Sequence, residues 1–363
     1  MKQHQIDIEE KISYNLWKWL SIHEALCKLT QWELYSLLLP VIEDKVSSKS
    51  PAILAQENKN NKFITPSSIS QKDFLVLDNI CIDIVWNWYN SVDLSPVAIL
   101  WSNQITWTSQ NKILSSIRWL ELVWDWCIQL AYYHVSQKNA YQDVDYISSH
   151  RVLRNQNFDN SEYTNHFRIL NMWSHIRSWD ILKHIDKMVE HVEYLVKILN
   201  ELKKQKIIDF NNISIEFWNL NNLNHVNEST RRKLVDNLQQ SKKQLRANIV
   251  SSVEHQQESW LLMLWEEDWW DFDKLNYAIQ HSEFLNSPWI DISVNKNRIA
   301  WLWHYDSYCY SIFMDKWDKR VSVADWGITN WTWKLLSNEK AAFVVAWLWT
   351  EILLKFFKFE KME

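Results

Sequence analysis

The chain has 363 residues, 23% of them charged, and a net charge of -5, so it carries no global basic footprint for nucleic acid. Its four cysteines, Cys27, Cys81, Cys127 and Cys309, lack C-x-x-C spacing, which argues against a zinc site or disulfide framework and for a reduced, cytoplasmic setting. No apolar run reaches the roughly 18 residues of a membrane span, and the opening MKQHQIDIEE does not have the pattern of a signal peptide.

Residues 1–65 are expected to form an N-terminal helical extension. Ile8, Ile12 and Leu16 space a first helix; Ser21 and Glu24 form a capping box for a second; Thr30 and Glu33 open a third that carries Leu34, Leu38 and Ile42. The stretch SSKSPAILAQENKNNKFITPSSIS, polar and interrupted by Pro51 and Pro66, is expected to be a connector. Ser70 then caps a buried helix in SQKDFLVLDNICIDIV. From Tyr89 to Tyr133 the apolar runs are short, as in strands and short helices, and YISSHRVLRNQNF with HFRILNMW predicts a hairpin around DNSEYTN. Ile181, Ile185, Val189, Val192, Leu195 and Leu199 mark a long helix, and ISIEF alternates as a strand. Leu234, Leu238, Leu245 and Ile249 mark a further helix with a basic outer face. Tyr308, Tyr310, Ile312 and Met314 share one face of a strand, and Val321 and Val323 start the next. NEKAAFVVAWLWTEILLKFF closes the chain as a helix-like segment. Strands and helices mix without a strict βαβ repeat, which predicts an α+β fold, an antiparallel sheet flanked by helices, over residues 66–363, with a helical insertion at about 176–260.

The composition has one anomaly, a single glycine, Gly327, against 26 tryptophans. Glycine at its usual frequency of about 7% would number roughly 25 here. Trp17 and Trp19 sit just before the Ser21 cap, where a helix end wants a left-handed residue, and Trp86 and Trp88 close another apolar run in the same way. The expectation is that most of these tryptophans are glycines in the living protein, from a gene whose UGA codons mean glycine but were read as tryptophan. A carbohydrate binder that stacks sugars on indoles accounts for the tryptophans but not for the missing glycines, and turns without glycine are costly.

Several charged features are expected to be solvated faces. His184 and His191, seven apart, with His175 before them, lack the i, i+4 spacing that chelates a metal, so no metal site is expected. Lys242, Lys243 and Arg246 form an outer basic face, and the acids of WEEDWWDFD lack calcium-loop spacing.

Four stretches carry chemistry. Residues 150–173, HRVLRNQNFDNSEYTNHFRILNMW, run strand, Arg154-x-Gln156, loop, and a return strand that opens on Phe167. Residues 115–126, SSIRWLELVWDW, hold Arg118 and Glu121. Residues 298–315, RIAWLWHYDSYCYSIFMD, become Arg-Ile-Ala-Gly-Leu-Gly-His-Tyr with glycine restored, ending on Tyr305. Residues 344–354, VVAWLWTEILL, become Val-Val-Ala-Gly-Leu-Gly-Thr-Glu, ending on Glu351. In this order they resemble the core of class II aminoacyl-tRNA synthetases, of the histidyl-tRNA synthetase type, and of its paralogue, the regulatory subunit of ATP phosphoribosyltransferase.

The resemblance implies a nucleotide site of Arg154 on the α-phosphate, Gln156 in place of the usual glutamate, Phe167 stacked on adenine, and Glu351 of motif 3, holding ATP with Mg if the site is active. A guanidinium suits that task because it binds phosphate oxygens bidentately. An amino-acid site of Arg118, Glu121 and Tyr305 is implied beside it. Two departures count against tRNA charging: Ile352 replaces the motif 3 arginine, and no anticodon-binding domain follows motif 3. The expected function is therefore a non-charging paralogue, a homodimer that binds an amino acid or nucleotide and regulates a partner enzyme, without nucleic acid or membrane partners. The alternatives are an active ATP-dependent, adenylate-forming enzyme and a scaffold that binds no small molecule.

Overall fold

The structure is a computed structural model that describes residues 8, 10–14, 17, 21–61, 63–106, 108–155, 163–220, 270–282, 284–285, 287, 289–294, 305, 307–317, 319–329, 331, 335–338 and 340–359. Gln156, Arg298, the helix expected at 234–249, the basic residues 242–246 and most of WEEDWWDFD lie outside them.

The N-terminal helices start where their caps dictate. For α1 (Ile22–Cys27), Glu24 N–H donates to Ser21 Oγ at 3.1 Å and the Glu24 carboxylate accepts from Ser21 N–H at 2.8 Å. Thr30 and Glu33 repeat this box, at 3.2 and 2.7 Å, for α2 (Gln31–Val46). Such a cap contributes about 1 kcal/mol by satisfying N–H groups that the first turn leaves orphaned. The expected connector contains a helix, α3 (Pro51–Asn60), capped by Ser50. Pro51 starts it rather than breaking it, because the first helical position needs no N–H donor. Ser70 caps α4 (Gln71–Val85), which buries Phe74, Leu77, Cys81 and Val85.

The rest of the chain builds a sheet and its layers. In order come β1 (Asn90–Ser91), β2 (Val97–Ile99), β3 (Ser115–Ser116), β4 (Leu120–Leu122), α5 (Trp126–Ser136), β5 (Val144–Leu153) and β6 (His166–Arg177). Then follow α6 (Ile181–Lys204), β7 (Asn212–Asn219), α7 (Trp270–Gln280), β8 (Ile290–Val294), β9 (Tyr308–Lys316), β10 (Lys319–Thr329), β11 (Ala341–Leu348) and α8 (Thr350–Phe356). Among the described residues the main sheet has eight strands in the order β1-β5-β6-β11-β10-β9-β7-β8. Its inner pairs are antiparallel, and only the outermost pairs, β1 with β5 and β7 with β8, are parallel. Strands β2, β4 and β3 form a small separate sheet. This is the α+β arrangement that the strand pattern predicts.

Two expectations change. The closing segment is not one helix: Ala341–Leu348 is a central strand, buried along its whole length, and the helix begins only at Thr350. A strand covered on both faces reads as a continuous apolar run, which periodicity cannot tell from a buried helix. Within the span 176–260 read as a helical insertion, α6 packs in the main core and β7 is a strand of the main sheet.

The sheet has two faces. On one, α4, α6, α7 and α8 bury Leu77, Met188, Leu195, Leu275 and Leu353 against Ile215, Ile312 and Val344. On the other, α5 sets Cys127 and Leu130 against Val152, Ile169, Phe343 and Val345. His184 and His191, expected on a solvated face, are buried inside the first layer, because seven residues make two turns and keep both on the inner stripe. His191 Nε2 meets Ser174 Oγ at 2.7 Å, and His175 Nδ1 donates to Gln142 O at 2.8 Å. Burial lowers the pKa of His134, to about 4, and also those of His150, His175, His184 and His191. A neutral imidazole that must charge on unfolding gives stability that is present above pH 6.5 and lost as pH falls toward the depressed values. The urea midpoint is therefore expected to fall steadily from pH 6.5 to about 4, and less steeply in His191→Gln; a flat profile would show that these rings carry no penalty.

Candidate ligand site on the α5 face of the sheet

The hairpin β5–β6 registers Val152 with Phe167 and Arg151 with Arg168. Side chains alternate across a strand, so these adjacent pairs serve opposite faces. Just past β5, the Arg154 backbone is clamped to Asn165: its N–H donates to Asn165 O at 2.7 Å, and Asn165 Nδ2 donates to Arg154 O at 2.9 Å. The guanidinium lies 4.1 Å from the ring centroid of Trp124, 5.1 Å from Phe167 and 5.6 Å from Trp347. It is only 6% exposed, and its Nε has no hydrogen-bond partner. Burial lowers its pKa to about 10, against the pull of Asp125 and Asp325.

Asp125 caps α5 through one oxygen, which accepts from Cys127 N–H at 2.8 Å, while its Oδ2 is buried without a partner. Burial raises its pKa to about 6. Arg154, Tyr305 and Asp325 share a small cavity of about 60 Å3 with the indoles of Trp124, Trp326, Trp347 and Trp349. The strand register sets Ser148, Asn171, Trp347, Asp325 and Ser311 side by side across five strands, and Trp347 and Asp325 of this row line the cavity. Ser148 Oγ and both amide atoms of Asn171 are buried without partners. Buried polar groups are normally satisfied, so two facing residues left without partners call for an explanation.

The structure thus brings together three residues expected in two different subsites, Arg154, Phe167 and Tyr305. Of the other four, Gln156 lies outside the described residues and three lie elsewhere. Glu121, 1% exposed, accepts from the backbone of Trp101 and Asn103 at 3.0 and 2.7 Å and from Asn103 Nδ2 at 2.6 Å, which holds the loop before β3. Arg118 is exposed and stacks on Tyr35 of α2 at 5.5 Å. Glu351 sits on the opposite face of the sheet, where it accepts from Arg151 Nη1 at 2.7 Å and from Arg168 N–H at 2.9 Å. Sequence reading missed Asp125, Asn171 and Asp325. Their signal was present: each is a polar residue inside an apolar run.

For a nucleotide, the buried guanidinium fits a phosphate oxygen. For a divalent metal, no group of three or more histidines, cysteines or carboxylates stands together among the described residues. No described helix is long and apolar enough to cross a membrane.

An antiparallel sheet whose one face is sealed by helices and whose other carries a hairpin arginine has the class II aminoacyl-tRNA synthetase-like core fold. Solved structures bear this out. An ATP phosphoribosyltransferase regulatory subunit/histidyl-tRNA synthetase from Bacillus halodurans superposes with a TM-score of 0.58 at 11% identity, covering 81% of this chain and 82% of its own. A histidyl-tRNA synthetase from Nostoc sp. PCC 7120 gives a TM-score of 0.53 at 14% identity, over 80% and 72% of the two chains. A histidine–tRNA ligase subunit from Alicyclobacillus acidocaldarius gives 0.51 at 10%, over 80% and 95%. No family model matches the chain, and no curated protein matches its sequence.

Proposed function

We propose that this chain is a non-charging paralogue of the class II synthetases that binds an amino acid or nucleotide beside Arg154 and passes the signal to a partner enzyme. The observation that carries the reading is the Arg154 guanidinium, buried on the α5 face of the sheet with Nε unpartnered. A cation held in that state costs free energy, and an anionic group of a ligand offsets the cost. Two features favour binding without charging. Ile352 stands where motif 3 would supply an arginine, and an isoleucine cannot neutralise a phosphate. Glu351 is engaged by Arg151 and Arg168 on the far side of the sheet. The partner enzyme is proposed by analogy with the regulatory subunit named above, and a homodimer is proposed because the synthetase core that the chain resembles dimerises through its motif 1.

The active-enzyme reading keeps one support: Arg154 and Phe167 are still adjacent, as a phosphate and an adenine would need. Pyrophosphate exchange with a panel of amino acids separates the two, using protein isolated from its own source. No exchange, together with a rise in melting temperature on adding an amino acid or ATP, is the expected result. Exchange that disappears in Arg154→Ala would establish the enzyme instead.

A further inference from the structure

We propose that His23 and Cys27 of α1 form a metal site, a two-ligand chelate on the protein surface that takes a zinc-like divalent cation. The site stands apart from the function proposed above and does not depend on it.

Spacing is the first ground. His23 and Cys27 are four residues apart, in HEALC, on the helix Ile22–Cys27. Positions i and i+4 lie one above the other, about 40° apart around the helix axis. Ala25, on the far side of the helix, is fully buried, while His23 and Cys27 are both exposed. This is the i, i+4 pairing that His184 and His191 lack. C-x-x-C spacing does not report it, because one member of the pair is a histidine.

Distance is the second. Cys27 Sγ lies 3.7 Å from His23 Nδ1 and 3.8 Å from Nε2. Zinc sits about 2.3 Å from a thiolate sulfur and about 2.0–2.1 Å from an imidazole nitrogen, and tetrahedral angles then set sulfur and nitrogen about 3.6 Å apart. The two donors already stand at that span, so a cation between them calls for a turn of the imidazole ring rather than a shift of the helix.

The donor set selects the ion. A thiolate with an imidazole suits zinc and disfavours magnesium and calcium, which prefer oxygen. The adjacent Glu24 carboxylate is taken up by Ser21, whose N–H and hydroxyl both donate to it at 2.8 Å. On binding, the Cys27 thiol gives its proton to solvent. Its sulfur and one ring nitrogen of His23 then take the place of waters on the hydrated cation, and the remaining positions keep water. The chelate also has a structural effect. A helix of 6 residues is too short to persist alone, and a cation closed across one turn pins most of its length.

Thiol titration of the full chain tests the site, because Cys27 is exposed while Cys81, Cys127 and Cys309 are buried. With a chromogenic disulfide reagent the native protein should show one fast-reacting thiol, absent in Cys27→Ser. Micromolar zinc should slow that thiol at least about tenfold, magnesium should leave its rate unchanged, and in His23→Gln the zinc effect should fall below about twofold. Cobalt in place of zinc should give a thiolate-to-cobalt charge-transfer absorption that either variant loses. Both side chains are exposed, so each variant should keep the native circular dichroism. A thiol that reacts at one rate with and without zinc overturns the proposal and reduces the contact to a thiol–imidazole hydrogen bond. Equal zinc protection in His23→Gln overturns the chelate as well, since the sulfur would then be binding the cation without the ring.

Discussion

Arg154→Met is expected to stabilise the chain as written. Burial holds the arginine pKa down at about 10, a shift that corresponds to about 3 kcal/mol of unrepaid desolvation. The aromatic faces of Trp124 and Phe167 return part of this, roughly 0.5–2 kcal/mol. Methionine fills the same slot without a charge, so a net gain of about 1–2 kcal/mol should appear as a higher melting temperature in calorimetry. In protein from its own source the same substitution should abolish the thermal response to an added ligand. A residue kept only for packing would show neither gain; a loss of stability would mean that the guanidinium has a strong partner and is not waiting for one.

Glu351→Ala should act in the opposite sense, lowering stability by roughly 2–4 kcal/mol. The carboxylate is 9% exposed and binds Arg151, Arg168 N–H and Ser67 together, so it ties α8 to the hairpin and to the segment before α4. Arg151, 34% exposed, regains some water when the pair is broken, which keeps the loss below that of a fully buried bridge. Denaturant unfolding reads the effect. Because Arg154 and Glu351 lie on opposite faces, ligand affinity should stay within about twofold. If Glu351→Gln folds normally yet loses nucleotide binding, the carboxylate belongs to the site after all.

The sequence made the local starts legible. Ser21, Thr30 and Ser70 cap helices as their spacing says, and the hairpin around Arg154 is in place, since both signals are short-range. What stayed hidden depends on layers. Ala341–Leu348 looked helical because both its faces are covered, and His191 looked solvated because a helical period gives a stripe without saying which stripe faces inward. For the site, Arg154 and Tyr305 could be named one at a time, but their convergence with Asp325 is set by strand order, which no local pattern carries. Glu351 and Glu121 were read as ligand-facing carboxylates; the structure gives each a set of protein donors.

The ends of the sheet have a consequence for assembly. At one end the outermost strand, Asn90–Ser91, is two residues long and runs parallel to its neighbour. A rim so short offers a visiting chain almost no free N–H and C=O groups to zip against. A contact between copies at that end would rest on helices and loops rather than on a sheet continued through Asn90–Ser91.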